Sequence, residues 1–183
     1  MTIKKFRNMD LILLTTIAVI LDVILGLFGL FGLWLFMALS IPIILLCYIR
    51  WRSYGLIPNI VVVAAHFIIY YLMLKNDIVV VLAHLLAMQT LSFALVMLKW
   101  NKLKERYKQF YPIALYFMVC YGIMFMSEWL LMIAFGKSIL LLSHLLNHSL
   151  NILLGLGLMA IIYRQNDLFV DMETYLKEKD KGN

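Results

Sequence analysis

Four polar residues stand at helical spacing within an otherwise apolar stretch of this 183-residue chain: His144, Asn147, His148 and Asn151. Because they recur in the order i, i+3, i+4 and i+7, an α-helix places them along one face. Imidazole and carboxamide groups hydrogen-bond small polar molecules, and two histidines one turn apart can share a metal ion. The spacing therefore predicts a ligand-binding stripe, with a metal site at His144 and His148 as the alternative.

The composition around this stripe is that of an integral membrane protein. Hydrophobic residues make up 64% of the chain and charged residues only 14%, whereas soluble domains contain about 25% charged residues. A bilayer core is crossed by about 20 apolar residues in a helix. The sequence predicts an all-α, polytopic six-helix bundle forming one membrane domain over 1–183, with spans at approximately 10–27, 33–49, 56–74, 78–98, 112–134 and 139–163.

The basic residues predict the orientation of this bundle. Lys and Arg in short loops stay on the cytoplasmic side, and with six spans all 16 basic residues except Lys75 and Lys137 fall on one side. Both termini and the tail 164–183 are therefore predicted to be cytoplasmic, in a multi-pass plasma-membrane protein. The net charge of +6 follows from these border residues, so no nucleic-acid partner is expected.

Further polar residues lie within the predicted spans, where they are costly and by default face a bundle interior or a cavity. With this orientation they all fall near the midplane or in the outer half of the bilayer, and His144 lies about 8 Å below the outer surface. They predict an outward-facing polar pocket, or alternatively interhelical hydrogen bonds that hold the helices together. Besides the stripe, the residues are Asp22, His66, His84, Gln89 and Glu128.

Two short segments resemble a known family. The run Ile41-Pro42-Ile43-Ile44-Leu45-Leu46, followed by Arg50 and by Gly55-Leu56, resembles the second span and following loop of the substrate-capture subunits (S components) of energy-coupling factor vitamin transporters. Asn147-His148-Ser149 is similar to the Asn-Gly-Ser stretch that several members carry at the pocket, with His148 departing from it. The size, the span number and the basic fourth loop also fit.

This resemblance implies a function and partners. The chain would bind a vitamin or a similar small molecule from outside, and would work with a transmembrane coupling subunit and two cytoplasmic ATPases. No catalytic residue and no cofactor are expected. The residues implied to contact the ligand, together with His144 of the stripe, are Trp34, which lies in a loop expected to cover the pocket, and His84, Gln89, Glu128, Asn147, His148 and Asn151.

Two other functions fit the same sequence. The first is an intramembrane zinc metalloenzyme in which His144 and His148 bind the ion and Glu128 or Asp22 supplies a third ligand or a base. Leu145 occupies the position at which a His-Glu-x-x-His motif has its glutamate. The second is a noncatalytic scaffold for cell-wall synthesis, since the size, span number and charge distribution also resemble the rod-shape-determining membrane protein MreD.

Overall fold

A computed structural model describes residues 2–29, 38–100, 110–165 and 169–181, and every regular element in these ranges is a helix. Two 3₁₀ turns join neighbouring helices at Arg52–Gly55 and Thr90–Phe93, and a π-helix follows α3 at Phe67–Met73. The α-helices are α1 (Ile3–Gly29), α2 (Ser40–Trp51), α3 (Leu56–His66), α4 (Ile78–Gln89), α5 (Ala94–Trp100), α6 (Phe110–Ala134), α7 (Leu141–Tyr163) and α8 (Met172–Lys181).

Five helical stretches in the described ranges are long and apolar enough to cross a membrane, which is consistent with a membrane location. Three of them, Ile78–Leu98, Phe110–Ala134 and Leu141–Tyr163, agree with predicted spans to within two residues at each end. The fourth, Ile3–Leu27, begins earlier than predicted. The fifth is a run of 34 residues, Ser40–Met73, that contains most of the second predicted span and nearly all of the third.

This long run is folded back on itself rather than straight. A straight helix would separate Ser40 from His66 by about 39 Å, yet the Ser40 hydroxyl lies 3.4 Å from Nε2 of His66. The reversal occurs at Arg52, whose φ of 50° lies in the left-handed region. Gly55 then passes so close to the backbone of Tyr48 that a Cβ atom would lie only 2.9 Å from its nitrogen. Helices α2 and α3 therefore form an antiparallel hairpin.

Helix α2 lies at the centre of the bundle, since all twelve of its residues are buried. Its sequence is apolar on every side up to Arg50, as expected of a helix surrounded by others. The Tyr116 hydroxyl of α6 donates to the carbonyl oxygen of Leu45 at 3.3 Å, and Tyr48 accepts from Asn59 of α3 at 3.2 Å. These contacts link α2 to α6 and to α3.

Charged residues join the helices at one end of the bundle, called here the Asp10 end. Asp10 of α1 accepts from Arg50 at 2.8 Å and from the indole of Trp51 at 2.6 Å, and Arg52 donates to Asp171 at 2.7 Å. Burial disfavours the charged form of Asp171, but Arg52 and Thr174 outweigh it and hold the pKa of that carboxyl below its usual value. The bridge therefore stays ionised at neutral pH.

Two connections meet at the opposite end, called here the Asp77 end. Asp77 precedes α4 and accepts from the backbone amide of Val79 at 2.8 Å, the arrangement of a helix N-cap. The ammonium group of Lys137, in the α6–α7 connection, donates to the same carboxylate. The hydrogen bond from Lys137, followed by that from Val79, lowers the pKa of Asp77. These contacts fasten the α6–α7 connection to the start of α4.

Two further sequence predictions, for the tail and for the glycine-rich segment, can be compared with the structure. The mixed charges of the tail predict a short amphipathic helix, and α8 confirms it. The glycine-rich segment from 26 to 33 is predicted to be a loop, but α1 continues through Gly26 to Gly29. Gly26 allows close packing there, since a Cβ atom would lie 2.7 Å from the Ile69 side chain. Trp34 and the start of the span predicted at 33–49 lie outside the described residues.

The contact between α6 and α7 yields a stability prediction. A Cβ atom on Gly155 would overlap the ring of Phe117, which is fully buried, whereas a Cβ atom on Gly157 would meet no neighbouring helix within 4 Å. We expect Gly155→Ala to lower the free energy of unfolding by about 1–3 kcal/mol and Gly157→Ala not to lower it. Thermal unfolding of both variants in detergent, followed by tryptophan fluorescence, measures the difference. Equal melting temperatures would contradict this packing.

Candidate functional site

Seven ionisable or amide side chains, each at most 2% exposed, gather between five helices. They come from α1, α3, α4, α6 and α7, and the amide and hydroxyl groups of Ser40, at the start of α2, reach two of them. Such groups are stable in an apolar interior only when they hydrogen-bond one another. This set is called the buried polar cluster, and it consists of Asp22, His66, His84, Glu128, His144, His148 and Asn151.

A continuous chain of hydrogen bonds crosses the cluster from α1 to α6. Asp22 accepts from the Ser40 amide at 3.1 Å and lies 2.5 Å from Nε2 of His66. Nδ1 of His66 is 3.0 Å from Nε2 of His84. Nδ1 of His84 is 3.0 Å from Oε2 of Glu128. Two carboxylates on different helices are therefore connected through two imidazole rings.

The number of protons in this chain follows from its geometry. Three contacts join Asp22, His66, His84 and Glu128, and each needs one hydrogen atom between its heavy atoms. Two neutral imidazoles supply only two N–H groups. The third proton must make one carboxyl neutral or one imidazole cationic. The four groups therefore carry a net charge of −1, whereas two carboxylates with two neutral rings would carry −2.

Helix α7 contributes the second part of the cluster. Nε2 of His148 is 3.7 Å from Oε2 of Glu128, and its Nδ1 is 2.7 Å from the hydroxyl of Tyr121. Tyr121 stands seven residues before Glu128 on α6, so both project from the same face of that helix. Two turns of α6 thus hold one imidazole of α7 at both of its nitrogens.

His144 lies one helical turn from His148 and is held differently. Phe125 stacks on its ring at a centroid distance of 4.6 Å. In the described part of the chain, its buried Nε2 has no hydrogen-bond partner. His144 is therefore positioned by ring stacking, and among the described residues its Nε2 is left as a buried polar atom without a hydrogen bond.

The structure brings several of the predicted site residues together. His84, Glu128, His144, His148 and Asn151 all belong to the buried polar cluster. Asn151 accepts from the backbone amide of Ala38 at 2.7 Å, so it contacts the chain just before α2. Glu128, His144 and His148 also form a group whose ligand atoms all lie within 4.8 Å of one another. This group includes both histidines of the predicted metal alternative.

Two predicted ligand contacts do not join the cluster. Asn147 and Gln89 are exposed. At 100° per residue, Asn147 is rotated by about 100° from His148, and Gln89 by about 140° from His84. Asn147 therefore lies at one edge of the stripe, about 60° from His144 and about 40° from Asn151 around the helix, and its side chain is exposed rather than part of the cluster. Trp34, the remaining predicted contact, lies outside the described residues.

Asp22 and His66 were predicted as pocket residues but not as ligand contacts, and Ser40 and Tyr121, which hydrogen-bond the cluster, were not singled out from the sequence at all. The spacing of Tyr121 from Glu128 is a signal that could have found it. Ser40 gave no such signal, since its role depends on the reversal of the chain at Arg52.

His66 occupies the last position of α3, where the π-helix begins. Such π-helical segments are frequent at functional sites.

Comparison with protein-family models, curated proteins and solved structures finds no match to this chain.

The pairing of Asp22 with His66 yields a prediction on coupling. Removing one partner of a buried ion pair leaves a polar group unsatisfied and typically costs about 3–5 kcal/mol. We expect His66→Ala and Asp22→Asn each to be strongly destabilising, and the double variant to lose at least 1 kcal/mol less than the sum. Unfolding in mixed micelles gives the four free energies of this cycle. Ser143→Ala, an exposed α7 position, is the control, and strictly additive losses would contradict the pairing.

Proposed function

We propose that this chain is a substrate-capture subunit of a membrane uptake transporter, similar to the S components of energy-coupling factor transporters. The observation that carries this proposal is the buried polar cluster, placed inside helices that are apolar enough to span a membrane. Ionisable residues at such positions are costly and mark substrate or ion pathways. A scaffold that works through its surfaces has no need for two buried carboxylates connected by two imidazole rings.

The proposal includes six spans with both termini in the cytoplasm. The hairpin of α2 and α3 supports the count, because each of these helices runs between the Asp10 end and the level of Asp22. Counting the hairpin as two crossings gives six. An even number leaves the basic N-terminal and C-terminal segments on one side, as the distribution of Lys and Arg favours. The Asp77 end, with the buried polar cluster nearer to it, then faces outward.

The charge of the cluster favours a cationic solute. Its described side chains include two carboxylates and no Lys or Arg, and the hydrogen-bonded chain from Asp22 to Glu128 carries a net charge of −1. A phosphate or a multiply carboxylated molecule would lack a countercharge there. The solute is therefore a small cation or a polar ring compound with positive character.

The topology is tested by placing single cysteines on exposed residues. The native Cys47 and Cys120 are buried and serve as an internal control for labelling. In intact cells, Lys75→Cys and Ser138→Cys should react with a membrane-impermeant maleimide, whereas Lys4→Cys and Arg164→Cys should react only after permeabilisation. With five spans, Lys4→Cys and Arg164→Cys would instead react from opposite sides of the membrane.

The transport assignment is tested through its partners. Mild solubilisation of native membranes and affinity purification of the tagged chain should recover a transmembrane coupling subunit together with two ATPase subunits. Mass spectrometry of the intact complex gives its composition. Recovery of cell-wall synthesis proteins in their place would support the scaffold, and a chain purified with no ATPase from its native membranes would overturn the capture-subunit assignment.

A further inference from the structure

We propose that Glu128, His144 and His148 form a binding site for one divalent transition-metal ion, with zinc as the representative ion. The three ligand atoms already lie within 4.8 Å of one another, and the His148 and Glu128 atoms are 3.7 Å apart. A zinc ion with bonds of about 2.0–2.2 Å holds its ligand atoms roughly 3.3 Å apart. The group therefore closes around the ion when its ligand atoms approach one another by roughly 1.5 Å or less.

The unpartnered nitrogen of His144 is the observation that points to a ligand. A buried nitrogen without a hydrogen bond is unfavourable, and Nε2 of His144 is such an atom within the described residues. Its ring is held by Phe125, which stacks on it at a centroid distance of 4.6 Å. In the tautomer with its proton on Nδ1, this nitrogen offers a lone pair to an ion shared with His148 and Glu128.

The other two ligands have supporting hydrogen-bond partners. With a proton on Nδ1 donated to the Tyr121 hydroxyl at 2.7 Å, His148 directs the lone pair of Nε2 toward Glu128. Glu128 is held by His84, whose far nitrogen contacts His66. Outer partners that fix ring and carboxylate orientation typically change metal affinity 10- to 100-fold. The chain from Asp22 to His84 therefore acts as the support of this site.

The donor set selects the class of ion. Two imidazoles and one carboxylate suit zinc and neighbouring first-row ions, whereas Mg²⁺ and Ca²⁺ prefer a shell of oxygens. Three protein ligands leave one coordination position open, so that a bound ion can exchange. His144 lies three residues from the start of α7, about 5 Å along the axis, which places the site close to the Asp77 end. That the ion is the transported solute rests on the proposed function.

Binding is tested on the full-length chain purified in detergent with a tag that contains no histidine, after removal of metal with EDTA. Isothermal titration with Zn²⁺ should give one ion per chain. His144→Ala and His148→Ala should each weaken binding about 100-fold or more, and His84→Ala about 10- to 100-fold. Ser143→Ala, the exposed neighbour of His144, should bind as the unmodified chain does. Mg²⁺ and Ca²⁺ in excess should not compete.

The results distinguish two claims, that the site binds zinc and that zinc is the transported solute. Zinc should raise the melting temperature of the unmodified chain, and Co²⁺ bound in its place should give the absorption bands of a site with nitrogen and oxygen ligands. A folded chain that binds no zinc, or His144→Ala and His148→Ala variants that bind it as tightly as the unmodified chain, would overturn the site without touching the partner test above. Zinc binding without uptake of radioactive zinc by cells that express the assembled complex would overturn the cargo role alone.

Discussion

The cost of placing carboxylates among apolar helices is the constraint on which the rest of this structure depends. Asp22 and Glu128 stand on α1 and α6, which pass through the same apolar interior, and neither is more than 2% exposed. A lone carboxylate in such surroundings is strongly unfavourable, so each needs donors from other helices. The two histidines between them supply those donors and thereby fix α3 and α4 relative to α1 and α6. The polar chain is thus both the least tolerant part of the interior and the part that orients the helices.

A second set of polar contacts at the Asp10 end works together with the first. Asp10 binds Arg50 and Trp51, while Asp22, twelve residues later on α1, binds Ser40 at the other end of α2. Two contacts about 18 Å apart along α1 fix both the register and the rotation of α2 against it. The apolar side chains between them then pack in one arrangement. Hydrophobic burial alone is non-directional, so these polar contacts supply the specificity.

The sequence predicts much of this fold because the membrane imposes simple rules on length and composition. Spans such as 78–98 and 112–134 are evident from continuous apolar runs, and the grouping of His84, Glu128, His148 and Asn151 follows from the cost of burying them. The rotation of each helix about its own axis cannot be predicted directly from the sequence. Asn147 stands between two buried histidines in the sequence but is itself exposed, and Ser40 enters the site only through the reversal at Arg52. Both depend on tertiary packing.

Because α2 is completely buried, its length does not have to match the thickness of the bilayer. Twelve helical residues extend about 18 Å, far less than the roughly 30 Å of a hydrocarbon core. A helix that contacted lipid at that length would suffer hydrophobic mismatch and would thin the membrane or tilt. Because α2 is buried on all sides by the rest of the bundle, a bilayer around the bundle would not contact it, and only the longer outer helices would have to match the bilayer thickness. The centre of the bundle, with Ser40 at the edge of the site, is thereby insulated from the lipid composition of the host membrane.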